Sequence, residues 1–155
     1  MTHVKTLEEF YQEICKQQSD AHGKEYIAHH KALIDCVRDP AVYMVKELGV
    51  CQGGTLAAMM LQNPFQLKGY DIFPAYYEPY AHLFEEYAEK NGIVYNYYEK
   101  SSTDPVSVCN CDLLHIDSLH DPDHLMEELQ MHAKFVSKYI VFHDTANFVN
   151  SELYG

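Results

Sequence analysis

The spacing of apolar positions changes several times along the chain, and each change marks a new element. Leu7, Phe10, Tyr11 and Ile14 recur at helical spacing with acidic residues between them. Tyr26, Ile27, His30, Leu33, Ile34 and Val37 form a second stripe of the same kind. Ser19 to Gly23 separates the two, and Asp39-Pro40 ends the second, because proline has no N–H to continue the ladder. From residue 41 onward short apolar runs alternate with helix-forming stretches. AVYMV running on to Glu47, QLKGYDIF, IVYNYYE, CDLLHID and KYIVFHD predict five strands. TLAAMMLQ, the stretch 77–91 with its Asn91-Gly92 stop, and HLMEELQMHAKFV after Asp121-Pro122 predict the helices between them. Strands alternating with helices predict an α/β protein, a three-layer Rossmann-like, doubly wound parallel sheet. Residues 1–155 read as a single domain, with residues 1–40 a helical cap or dimer surface and residues 41–155 the core.

The first strand, turn and helix carry the clearest chemistry. Glu47 is followed by Gly49, then Gly53 and Gly54, and the next strand brings Asp71 near its end. Strand, glycine turn, helix, and strand with a terminal acid is the layout of a nucleotide-binding βαβ unit. The dinucleotide pattern Gly-x-Gly-x-x-Gly is absent. A carboxylate before the first glycine repels phosphate and suits a cationic or hydroxyl-bearing ligand, and Asp71 is placed to accept hydrogen bonds from ribose hydroxyls. The alternative is an ordinary tight strand–helix turn. Ser101 and Ser102, in the loop after the third strand, are placed either to meet an adenine or ribose or to form a solvated turn.

Composition narrows the partners. Of 155 residues, 23 are Asp or Glu and 11 are Lys or Arg, for a net charge of −12, and no basic cluster occurs. That argues against nucleic-acid phosphates and anionic membranes as partners. Five cysteines, an odd number without paired spacing, point to reduced thiols in a cytoplasmic protein. The N-terminus is polar and helical, unlike a signal peptide, and no run is long enough to span a membrane.

Acids end four of the strands: Glu47, Asp71, Asp117 and Asp144. With the fourth strand between the first and fifth, and parallel neighbours roughly 4.8 Å apart, Asp117 and Asp144 are expected side by side. Two adjacent carboxylates repel, and a divalent cation, Mg²⁺ in the first instance, resolves the repulsion. His120, three residues after Asp117, is suited to take a hydroxyl proton near neutral pH. His115, His124, His132 and His143 read as surface or strand positions without a role.

The segment CDLLHIDSLH, a helix, and then KYIVFHDT resembles the class I S-adenosylmethionine-dependent methyltransferases, in particular the group of macrocin-type sugar O-methyltransferases and cephalosporin-hydroxylase-like proteins. The resemblance spans roughly residues 41–147. It implies S-adenosylmethionine bound by Glu47, Gly49, Gly53, Gly54, Asp71, Ser101 and Asp117. It also implies a magnesium ion at Asp117 and Asp144, with His120 as base. The function it implies is metal-assisted methylation of a hydroxyl on a small-molecule or sugar acceptor. Two departures stand out. The family's second acid beside the fifth-strand Asp is replaced here by His143 and Thr145, with Asn147 further on, and the sequence ends where the family continues for two more strands. The second departure leads to the expectation of a fifth strand left as a sheet edge, and hence a homo-oligomer. A protein that binds S-adenosylmethionine without turnover, a metal-dependent hydrolase using Asp117, His120 and Asp144, and a nicotinamide-dependent oxidoreductase are the rival readings.

Overall fold

The computed structural model describes residues 3–143. Two helices open the chain, α1 (Leu7–His22) and α2 (Ala28–Val37), followed by β1 (Met44–Leu48), α3 (Gly54–Met60), β2 (Gln66–Tyr70), α4 (Ala81–Asn91), β3 (Val94–Tyr98), β4 (Cys111–Ile116), α5 (Pro122–His132) and β5 (Val136–Phe142). All five strands run parallel in the order β3-β2-β1-β4-β5. The predicted α/β doubly wound sheet is therefore the observed one. Local signals set the helix ends. The Thr6 side chain accepts from the Glu9 amide at the start of α1, and the Asp121 side chain accepts from the His124 amide at the start of α5. Gly92, with φ 67°, closes α4 in the left-handed conformation.

The two faces of the sheet bury two separate clusters. On one face Val45, Leu67 and Leu113 pack under α1 to α4 with Phe10, Ile14, Leu33, Leu56, Met59 and Phe84. On the other, Leu48, Tyr70, Leu114 and Ile116 pack against Leu125 and Leu129 of α5. The helices α1 and α2 thus help build the main core, and the start of α2 also reaches the carboxyl end of β5, where the His29 and His143 rings lie 4.3 Å apart. Phe10 is fully buried, and its ring meets that of Phe84 at 5.7 Å, edge to face. Tyr11 of α1 and His30 of α2 are joined by a 3.0 Å hydrogen bond.

The expected helix 77–91 is shorter than its pattern suggests. Pro74 starts one 3₁₀ turn, Pro74–Tyr76, Pro79 is the second residue of another, Glu78–Tyr80, and the regular helix begins only at Ala81. A proline within the helix would remove a ladder donor and clash with the preceding turn, so the chain spends both prolines at first-turn positions. Conversely, α1 runs through Ser19 to His22 and stops only at Gly23. Among the described residues β5 is an edge strand. No helix among them is long and apolar enough to cross a membrane.

Candidate functional site

The ladder continues one residue past each strand, which aligns a row of residues across the carboxyl edge. The Gly49 amide donates to Tyr70 O, the Asp71 amide to Tyr98 O, the Asp117 amide to Leu48 O and the His143 amide to Ile116 O. Gly49, Asp71, Asp117 and His143 therefore stand at one level, each immediately after its strand. In an open parallel sheet this edge is where ligands bind, at the point where the strand order reverses.

The turn from β1 to α3 is held by Asp71. Its Oδ2 accepts from the Val50 amide at 2.9 Å and the Cys51 amide at 2.7 Å, and its Oδ1 accepts from the Phe73 amide at 2.8 Å. A carboxylate offers about four acceptor positions, so one on Oδ1 is left for a ligand. Gly49 has φ +88°, and a Cβ there would sit 2.2 Å from the Asp117 carbonyl oxygen. Any side chain would wedge the end of β1 away from β4.

Beneath the edge lie three buried polar networks. On one sheet face, Glu47 and His115 occupy paired positions of β1 and β4. Glu47 Oε2 accepts from the Thr55 hydroxyl at 2.8 Å and from His115 Nδ1 at 2.9 Å, with both Glu47 and His115 fully enclosed. Burial pushes the Glu47 carboxyl above its usual range, against the opposing pull of His115 and Thr55. On the other face, Lys46 Nζ donates to Ser107 O at 3.0 Å and to His132 Nδ1 at 2.9 Å. An ammonium only donates, so the His132 proton is on Nε2, which donates to Ser102 O at 2.6 Å. Burial lowers the pKa of both Lys46 and His132. This network ties β1 to the loop that carries Ser101 and Ser102. In the third, Ser118 donates to the buried Glu128, and His124 Nε2 lies 3.1 Å from both Glu128 Oε1 and Ser102 Oγ.

Above these networks opens a crevice of about 350 Å³, with Gly49, Asp71, Ser101, Ser102, Asp117 and Ser118 among its lining residues. Its lining includes an apolar set, Ile72, Phe73 and Leu119, which are 65%, 63% and 64% exposed. Asp117 faces the crevice on one side. On the other, its Oδ1 lies 3.1 Å from His143 Nδ1 and 3.3 Å from His120 Nε2. Burial acts to raise the Asp117 pKa, but the nearby His143, with His115 and His120, holds it below the usual carboxylate range.

The predicted site residues thus divide. Gly49, Asp71, Ser101 and Asp117 meet at the crevice, and His120 joins Asp117 beside it. Glu47, Gly53 and Gly54 lie below. Glu47 faces α3 because it shares strand parity with Val45, and its hydrogen bonds go to protein partners. A Cβ on Gly53 would come within 2.9 Å of Phe84, and one on Gly54 within 2.9 Å of Ile14, so these glycines serve helix packing. Asp144 lies outside the described residues. The position in line with Asp117 on β5 belongs to His143, one residue earlier than the acid expected there. The histidines read as surface or strand positions are instead engaged in the site's support: His115 under the turn, His132 and His124 under the loop, and His143 on Asp117. The place of His143 follows from the register of the folded sheet: with Phe142 opposite Ile116, the next residue on β5 stands beside Asp117.

This strand order, with its crevice between the β1 turn and the ends of β2 and β4, is the fold of the class I S-adenosylmethionine-dependent methyltransferases. Solved structures sharing it include a SAM-dependent methyltransferase from Agrobacterium tumefaciens, with TM-score 0.60 and 13% identity over 77% of this chain and 44% of that one. A SAM-dependent O-methyltransferase from Thermotoga maritima matches with TM-score 0.55 and 15% identity over 82% of this chain and 48% of its own. An rRNA methylase from Streptococcus thermophilus matches with TM-score 0.53 and 12% identity over 83% and 77%. The chain spans less than half the length of the first two. No protein-family model matches the chain, and no curated protein matches it in sequence.

Proposed function

We propose that the chain binds S-adenosylmethionine in this crevice and transfers its methyl group to a hydroxyl of a small-molecule or sugar acceptor. The observation that carries the reading is how Asp71 is used. The Val50 and Cys51 amides, which in a dinucleotide site would face a pyrophosphate, donate instead to a carboxylate. The turn therefore presents negative charge to its ligand, which favours a sulfonium and an ammonium over phosphates. The exposed Ile72, Phe73 and Leu119 give an adenine an apolar surface, and the free position on Asp71 Oδ1 accepts one ribose hydroxyl.

In the transfer step the acceptor oxygen attacks the sulfonium methyl. The carbon–sulfur bond breaks with its electrons going to sulfur, and the neutral thioether leaves. The hydroxyl proton goes to His120, which Asp117 orients through the 3.3 Å contact. The net charge of −12 favours an uncharged acceptor over a polyanion. The test is methyl transfer from isotopically labelled S-adenosylmethionine across a panel of sugars, phenols and aliphatic alcohols, with ribosomal RNA and protein as further acceptors. Label in a hydroxyl-bearing small molecule supports the reading. Label in RNA alone overturns the acceptor class, and binding without transfer to any acceptor overturns the catalytic half and leaves a binding protein.

A further inference from the structure

The resemblance in sequence implies magnesium at Asp117 and Asp144; Asp144 lies outside the described residues, and among those described the side chains gathered around Asp117 are two histidines. His143 comes from the end of the neighbouring strand and His120 from the loop after β4, and each places a ring nitrogen near the same oxygen, Asp117 Oδ1, at 3.1 Å and 3.3 Å. One ligand atom from each of the three residues lies within 4.8 Å of the others. A hollow of about 10 Å³ adjoins all three residues, close to the size needed by a single water.

Mg²⁺ takes oxygen ligands and keeps most of its waters, whereas imidazole nitrogen suits zinc, iron, nickel and copper. We propose that Asp117, His120 and His143 form a site for a divalent transition-metal ion of the zinc class. The inference rests on these side chains and not on the methyl-transfer reading. Metal–ligand bonds of about 2.0–2.2 Å place neighbouring ligand atoms roughly 3.0–3.6 Å apart, so the two contacts to Asp117 already have the needed spacing. The two imidazoles must close toward each other. His120 can supply that movement, since its side chain is 53% exposed while that of His143 is 11% exposed. His143 is backed by α2: the His29 ring lies 4.3 Å from its own, and His29 Nδ1 donates to Tyr26 O at 2.9 Å. Two imidazoles and one carboxylate would supply three protein ligands, one short of the four that a tetrahedral ion takes. Metal binding uses the lone pair that would otherwise take a proton on His120. With an ion bound, His120 would serve as a ligand in place of its role as base, and the ion would supply Lewis acidity to a hydroxyl oxygen.

The experiment is calorimetric titration of the chelator-stripped full chain with Zn²⁺ and with Mg²⁺, alongside visible absorption on adding Co²⁺. The proposal expects one Zn²⁺ per chain, no displacement by a large excess of Mg²⁺, and a Co²⁺ spectrum of a nitrogen-ligated ion. His143→Ala and His120→Ala should each weaken Zn²⁺ at least tenfold and change the Co²⁺ spectrum. His120 is on an exposed loop, so its variant keeps the test valid if His143→Ala fails to fold. Absence of Zn²⁺ binding, Zn²⁺ binding unchanged in His120→Ala, or Mg²⁺ binding with equal affinity would overturn the proposal. S-adenosylmethionine titrated into the same metal-free protein tests the methyltransferase reading separately, so either can fail alone.

Discussion

Replacing Asp71 with asparagine should cost the protein stability as well as ligand affinity, because its carboxylate is a structural clamp before any ligand arrives. Three backbone amides, of Val50, Cys51 and Phe73, donate to it at 2.7–2.9 Å. An asparagine oxygen can keep the Val50 and Cys51 bonds as neutral ones, but its NH₂ group then confronts the Phe73 N–H with a second donor. Hydrogen bonds to a charged group contribute about 1.5–3 kcal/mol and neutral ones about 0.5–1.5 kcal/mol. The exchange weakens two bonds and loses a third, which with partial solvent access comes to about 2–3 kcal/mol. For a domain of this size each kcal/mol shifts the melting temperature by about 2–4 °C, so Asp71→Asn should melt about 5–10 °C lower. Thermal unfolding followed by circular dichroism measures this directly. A variant melting within about 1 °C of wild type would refute the clamp, and with it the argument that the turn's amides are closed to phosphate.

Other outcomes follow from the same geometry. Phe10→Ala should destabilise the fold by about 3–5 kcal/mol in chemical denaturation; a loss below about 1 kcal/mol would mean that α1 is a detachable cap after all. Asp112 accepts from the Tyr43 and Met44 amides and from Ser137. Burial tends to raise its carboxyl pKa, but these bonds hold it below the usual value. A depressed carboxylate contributes stability that is present above the unfolded-state pKa, about 3.9, and is lost as pH falls through the folded value. Stability of Asp112→Asn should therefore fall less steeply than wild type below pH about 4; identical slopes would contradict the assignment. Among the described residues Tyr-Ile-Val-Phe at 139–142 lies in an edge strand, which invites pairing with a second chain. Light scattering at micromolar concentration should give the mass of a dimer, reduced by Ile140→Lys, and a monomer mass would reject the pairing.

The sheet and its order were readable because the strand runs differ sharply from the helical stripes, and because Gly49, Asp71 and Asp117 fall at strand ends. What escaped was which way each side chain faces. Glu47 precedes a glycine turn, which points to a ligand contact, yet strand alternation turns it onto the helical face beside His115. The displacement of His143 into the row with Asp117 is a matter of one residue of register, which acidic strand ends alone do not fix. The Lys46–His132–Ser102 network joins residues distant in sequence through a buried lysine. Nothing local in MVKEL marks that lysine as different from a solvent-facing one.

The central claim is that the crevice at the carboxyl edge holds S-adenosylmethionine, and titration calorimetry of the purified chain tests it most directly. The account predicts saturable binding at one site per chain, competition by the demethylated product, and a markedly weaker signal after Leu119→Lys, which places a cation in the apolar lining beside a positively charged ligand. Absence of S-adenosylmethionine binding by a folded chain, or preferential binding of a nicotinamide dinucleotide, would contradict it.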